Sequence, residues 1–98
     1  LHDALPIFII DLHADEVLET TAGMNSADIL HYQMDIFKKT MAENKKNKGQ
    51  KIIFIHGKGE GVLRQALIHE LNYRYKNCTY QDASFQEYGY GATQVTIR

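Results

Sequence analysis

The stretch IIFIHGKGEGVLR, residues 52–64, limits the architecture of this chain more than any other. Its branched and aromatic start reads as a buried strand, and VLRQALIHEL after the glycines carries apolar residues at helical spacing. A strand that runs straight into a helix is half of a crossover unit, and such units are right-handed and join parallel strands. The glycines at 57, 59 and 61 lower the stability of any ordinary backbone. A close approach or a special conformation is therefore expected in the turn.

The rest of the chain arranges itself around that unit. IFIIDL, residues 7–12, reads as the first strand, and HADEVLETTAGMN contains a helical turn ended by Gly23. A long helix begins at Ser26, which can N-cap it, with Asp28 favouring the first turn. Leu30, Met34, Phe37 and Met41 form its apolar stripe, flanked by Ile29 and Ile36, and NKKNKGQ closes it with Gly49 as the stop. KIIFIH is the second strand, and the helix beyond the glycines runs to about residue 75 on Val62, Leu63, Leu67, Ile68 and Leu71. CTYQDAS and ATQVTIR read as two final strands, antiparallel neighbours because the FQEYGYG loop between them is short. The order β-α-β-α-β-β gives an α/β fold, a two-layer sandwich with a mixed four-stranded sheet and both helices on one face.

Composition narrows the function classes. The length of 98 residues suits one small domain with a single modest core. A formal net charge of −1 excludes a global basic field. Lys45, Lys46, Lys48 and Lys51 form a local cluster, but they fall at the sheet edge opposite the glycine turn and read as a solvated helix cap. The single cysteine, Cys78, cannot form an internal disulfide or build a cysteine-based zinc site, and a reducing cytoplasm is the expected setting. No apolar run is long enough to cross a membrane, and the first residues lack a signal-peptide pattern. The first strand starts almost at once and without a Met. We expect residues 7–98 to be the C-terminal domain of a longer protein, residues 1–6 to be a leader outside the domain, and other domains of that chain to be partners.

Ligands of open α/β sheets gather beyond the carboxyl ends of the strands. The first strand delivers Asp11 and His13 there, two apart and so on one strand face, and the second delivers His56. Gly57, Lys58, Gly59 and Gly61 follow His56 and open a helix, a combination suited to an anion such as phosphate. No Gly-Lys-Ser/Thr ends the loop and its glycines are not spaced G-x-G-x-x-G, so it is neither a P-loop nor a dinucleotide fingerprint. The competing explanation is a tight strand-to-helix turn. Arg64 is the next basic residue at the site, and a parallel third strand would add Tyr88 and Tyr90 from the final loop. A carboxylate beside His13 fixes its tautomer and raises its basicity, which prepares a general base but also describes an ordinary structural pair. Asp11 could instead hold a hard metal with water, Mg²⁺ or Mn²⁺ being the candidates. His31 and His69 lie within helices and read as surface or packing residues.

DLH at residues 11–13, HGKGEGVLR at 56–64 and GYGATQV at 89–95, in this order, resemble the Smr (small MutS-related) domain, most closely a bacterial subgroup of it. The resemblance covers residues 9–97. It implies sheet order 1-2-4-3 with the fourth strand antiparallel to the others, a fold also similar to the C-terminal domain of a bacterial translation initiation factor. It further implies nucleic-acid binding, nicking of structured or branched DNA or RNA in several members, and a setting in DNA repair or RNA processing. Asp11 and His13 match the DLH site, and His56, Gly57 and Gly59 match the glycine motif. On that reading we expect Asp11 and His13 to activate water, directly or through a divalent metal, the Gly57 to Gly61 amides and Lys58 to hold phosphate, and His56 to act as the acid. A non-catalytic RNA- or protein-binding module using the same edge is the alternative. One departure stands out: residues 14–28 form a longer link to the first helix than is usual in the family.

Overall fold

The computed structural model describes residues 6–57, 61–83, 85–88 and 91–98. Its elements are β1 (Phe8–Asp11), α1 (Ala14–Val17), α2 (Ser26–Glu43), β2 (Lys51–Ile55), α3 (Val62–Arg74), β3 (Thr79–Asp82), α4 (Phe85–Tyr88) and β4 (Ala92–Thr96). The sheet order is β1-β2-β4-β3, with β1 parallel to β2 and β4 antiparallel to both β2 and β3. β3 therefore runs with β1 and β2, and three carboxyl ends share one edge with the start of β4.

β2 explains why the run at 52–55 has no polar position. It is an inner strand, so Ile52 and Phe54 face the helices while Ile53 and Ile55 face the other side, and all four are buried. The main core forms where Ile52, Phe54 and Val95 meet Met34, Phe37 and Met41 of α2 and Leu63, Leu67 and Leu71 of α3. Phe37 sits at its centre, edge-on to Phe54 at a ring-centroid distance of 4.9 Å and to Tyr75 at 5.8 Å. Each fully buried side chain of this size contributes roughly 1.5–3 kcal/mol. The expected stripe of α2 is thus the buried one, with Leu30 partly covered. On α3 the stripe is narrower than the sequence suggests, because Val62 is exposed on the first turn.

Local differences have local causes. α2 does begin at Ser26, but its N-cap is Asn25: Asn25 Oδ1 accepts from the Asp28 backbone N–H at 2.8 Å, and Asp28 Oδ2 accepts from the Asn25 N–H at 3.3 Å. The reciprocal box is available to Asn25 because Asp28 lies three residues on, whereas Ser26 has Ile29 there. The turn after β1 ends at Val17, well before Gly23, and Gly23 instead serves a separate turn at φ 81°. α4 supplies one helical turn inside the segment expected to be a plain loop. Replacing Asn25 by Ala is expected to lower stability by ~1 kcal/mol, since the Asp28 backbone N–H loses its side-chain acceptor. Thermal unfolding would show this, and an unchanged melting temperature would mean that packing alone sets the start of α2.

Candidate functional site

Asp11 and His13 do come together, though not by strand alternation. β1 ends at Asp11, and the chain turns so that His13 precedes α1. Asp11 Oδ1 accepts both the His13 backbone N–H at 2.9 Å and the imidazole Nδ1–H at 2.7 Å. In the neutral ring this places the basic lone pair on Nε2. A second tie comes from α2, where Gln33 Nε2 donates to the Leu12 carbonyl at 2.8 Å, and Leu12 itself is fully buried. The segment carrying Asp11 and His13 is therefore anchored on both sides.

His56 arrives from the other face. Leu12 and Phe54 belong to the helix-side core, so Asp11 lies on the opposite side of the sheet and His56 on the helix side. Gly57, at φ 83°, joins the two halves. A Cβ on Gly57 would stand 2.8 Å from His13 Nε2, and a Cβ on Gly91 would stand 2.5 Å from the Gly57 carbonyl oxygen and 3.2 Å from His56 Cε1. The Gly91 carbonyl accepts from the backbone N–H groups of His56 and Gly57 at 3.1 and 3.0 Å. Glycine is thus required at 57 and 91 by contact, and at 57 by backbone conformation as well.

Both ring nitrogens of His56 are engaged. Nδ1–H donates to the Gly57 carbonyl at 3.0 Å, and Nε2 lies 2.9 Å from Thr93 Oγ1, so in the neutral ring it accepts the hydroxyl proton. Burial holds the His56 pKa below its ordinary 6.5, with the Arg64 guanidinium adding to the effect against the Gly57 hydrogen bond and Asp82. The folded state thus prefers the neutral ring. The stability that this contributes is complete above pH 6.5 and is lost as the pH falls through the lower folded value. Comparing wild type with His56→Gln by thermal unfolding between about pH 8 and pH 5 should show their difference shrinking below the ordinary histidine pKa. A constant difference would mean that His56 titrates as if in water.

A cleft of about 570 Å³ opens beside His56 between the first turns of α2 and α3. Ser26, Gln33, His56, Gly57, Gly61 and Arg64 line its polar side. Gly61, at φ 78°, is the N-cap of α3 and brings no capping side chain. Arg64 borders the cleft, but its guanidinium donates to Asp82 Oδ1 of β3 at 3.0 Å. That pair is solvated and worth little to stability. Lys58, Gly59 and Tyr90 lie outside the described residues. Tyr88 ends α4 at the same edge.

Gln33, Gly91 and Thr93 belong to the site and were not singled out from the sequence. Thr93 left a signal, being a polar residue at a helix-facing position of β4 that is almost completely buried. Gln33 left none, since a polar residue beside Met34 on a helix reads as surface.

The structure is an open α/β sandwich with α2 and α3 on one face of the sheet, and its polar side chains collect beyond the carboxyl ends of the parallel strands, where open sheets of this kind bind their ligands. Residues 22–98 match the Smr domain, and the chain belongs to that family. Membership suggests nucleic-acid binding. The matched range contains His56, Gly57 and Gly91 and begins after Asp11 and His13, which β1 nonetheless sets beside β2 in the sheet. No curated protein and no solved structure matches the chain. Among the described residues, no helix is long and apolar enough to cross a membrane.

Proposed function

We propose that this Smr domain hydrolyses a phosphodiester bond in structured or branched nucleic acid, with His13 as the base. The observation that carries the reading is the 2.7 Å Asp11–His13 contact, with Nε2 turned toward the Gly57 turn. Asp11 holds the ring in one tautomer and stabilises the imidazolium that forms when Nε2 takes a proton from water. The oxygen of that water bonds to phosphorus as the bond to the leaving oxygen breaks, and the leaving oxygen takes its proton from solvent. The first turn of α3 and the glycine turn favour the negative charge of the phosphate.

Asp11 Oδ1 is taken up by His13, which leaves Oδ2 to face a cation. One carboxylate oxygen suits Mg²⁺ or Mn²⁺ as an ion that keeps most of its shell as water and substrate oxygens. Such an ion would polarise a phosphoryl oxygen or acidify a bound water.

The assignment of His56 as acid loses support, because its two ring nitrogens are engaged within the protein and burial disfavours its charged form. We assign it instead to holding the glycine turn. The same observation favours the second reading, a module that binds nucleic acid at this edge without cutting it. Single-turnover nicking assays on branched DNA and hairpin RNA, with Mg²⁺, with Mn²⁺ and with chelator, decide between them. Nicking that saturates with enzyme supports hydrolysis, whereas binding without nicking under every condition establishes the binding module.

A further inference from the structure

At the end of the sheet opposite Asp11 and His56, the C-terminal ends of α2 and α3 and the end of β4 enclose a second cleft, of about 690 Å³. Lys45, Lys48, Arg74, Lys76 and Arg98 line it, and no Asp or Glu side chain does. Five of the chain's eleven Lys and Arg residues thus face one cavity in a protein whose net charge is −1. Two lysines of the cluster that reads as a helix cap in sequence, Lys45 and Lys48, are joined here by residues from farther along the chain.

Helix capping does not account for so much charge. Two helix C-termini present about half a negative charge each. Arg74 is already paired with Glu70, its Nε 3.2 Å from Oε1, and Lys38 shares that carboxylate at 3.8 Å. Among the described residues, no Asp or Glu side chain lies within ion-pairing distance of Lys45, Lys48, Lys76 or Arg98. A surplus of positive charge remains after both dipoles and Glu70 are satisfied. It is gathered in a concave, partly apolar wall with Tyr73, 67% exposed, at its side.

We propose that this cleft binds the phosphate backbone of a nucleic acid, independently of the Asp11–His13 edge. Cationic side chains on flexible stems suit the repeating, sequence-independent charge of a phosphodiester chain. The five-residue strand β2 separates the two ends of the sheet. At ~3.3 Å per residue this is ~17 Å, so one strand or duplex of modest length reaches both sites. The cleft therefore supplies affinity, and the opposite edge the chemistry. This assignment rests on the nucleic-acid reading of the domain but not on its being a nuclease.

The test uses the full chain and a variant carrying Lys45→Gln, Lys48→Gln and Lys76→Gln, all at exposed positions and none at the Asp11–His13 edge. Anisotropy of a labelled single-stranded oligonucleotide and a labelled hairpin is followed as KCl rises, beside sedimentation with phosphatidylglycerol vesicles and thermal unfolding. With each phosphate contributing ~0.7–0.9 to the slope of log K against log salt, the variant should lose ~2–3 units of slope and at least ~10-fold in affinity near 0.1 M salt. Its single-turnover nicking rate at saturating protein, where wild type nicks at all, should be unchanged. An unaltered slope overturns the proposal. So does loss of vesicle binding with oligonucleotide binding intact, a lowered melting temperature with unchanged binding, or a wild type that binds neither oligonucleotide. A wild type that binds with the full slope but never nicks sinks only the hydrolytic reading.

Discussion

His13→Ala is expected to slow single-turnover nicking by ~10²–10⁴-fold while leaving nucleic-acid affinity nearly unchanged, the usual contribution of a positioned general base. The expectation follows from how the ring is held. Asp11 Oδ1 binds its Nδ1 at 2.7 Å, and the backbone N–H of residue 13 also donates to that oxygen at 2.9 Å. The backbone bond survives truncation, so the turn after β1 should keep its shape and the variant should melt close to wild type. His13→Gln retains an amide but no group that takes up a proton near neutrality, and should be as slow as the Ala variant. Equal losses of binding and nicking in a folded variant would show that His13 holds the ligand and is not its base.

The second large effect is on the fold around the site. Gly91→Ala should cost roughly 1–3 kcal/mol, the range for forcing atoms into a filled space. In a domain of this size that amounts to several degrees in melting temperature. The new Cβ would meet the Gly57 carbonyl oxygen at 2.5 Å and its carbon at 3.1 Å, and these are backbone atoms that cannot rotate away. Relief requires the start of β4 to move, which strains the two bonds that the Gly91 carbonyl accepts from His56 and Gly57. Gly57→Ala differs in kind. Its Cβ meets the flexible ring of His13, and the residue must also hold φ 83°, roughly a 1–2 kcal/mol cost for an L-residue. That variant should displace the base and lose nicking, whereas Gly91→Ala should lose stability first. A Gly91→Ala protein that melts with wild type would show slack between β2 and β4.

The sequence is informative wherever one residue type has one physical use. The all-apolar run at 52–55 could only be an inner strand, since Ile52 and Phe54 serve one face and Ile53 and Ile55 the other. The spacing of Met34, Phe37 and Met41 fixed which side of α2 is buried. Asp11, His13 and His56 stood out because they are polar side chains at the carboxyl ends of two strands expected to be parallel. The cap of α2 was off by one residue, because Asn25 and Ser26 are both good caps and only Asp28 as reciprocal partner decides between them.

Element order, the buried stripes, sheet order with the family resemblance, and the edge that collects the polar groups were thus determined by sequence, because each depends on local periodicity or on handed connections. Tertiary structure decided what depends on distances between segments far apart in the chain. Gly91 matters because Gly57 is folded against it, and Gln33 because α2 brings it to the Leu12 carbonyl. His56 is turned inward by Thr93, a partner 37 residues away. The lysines after α2 become part of a basic cleft only when Arg74, Lys76 and Arg98 are set around them. Periodicity reports which face of an element is buried, but only the packed chain brings two such faces within hydrogen-bonding or clashing distance.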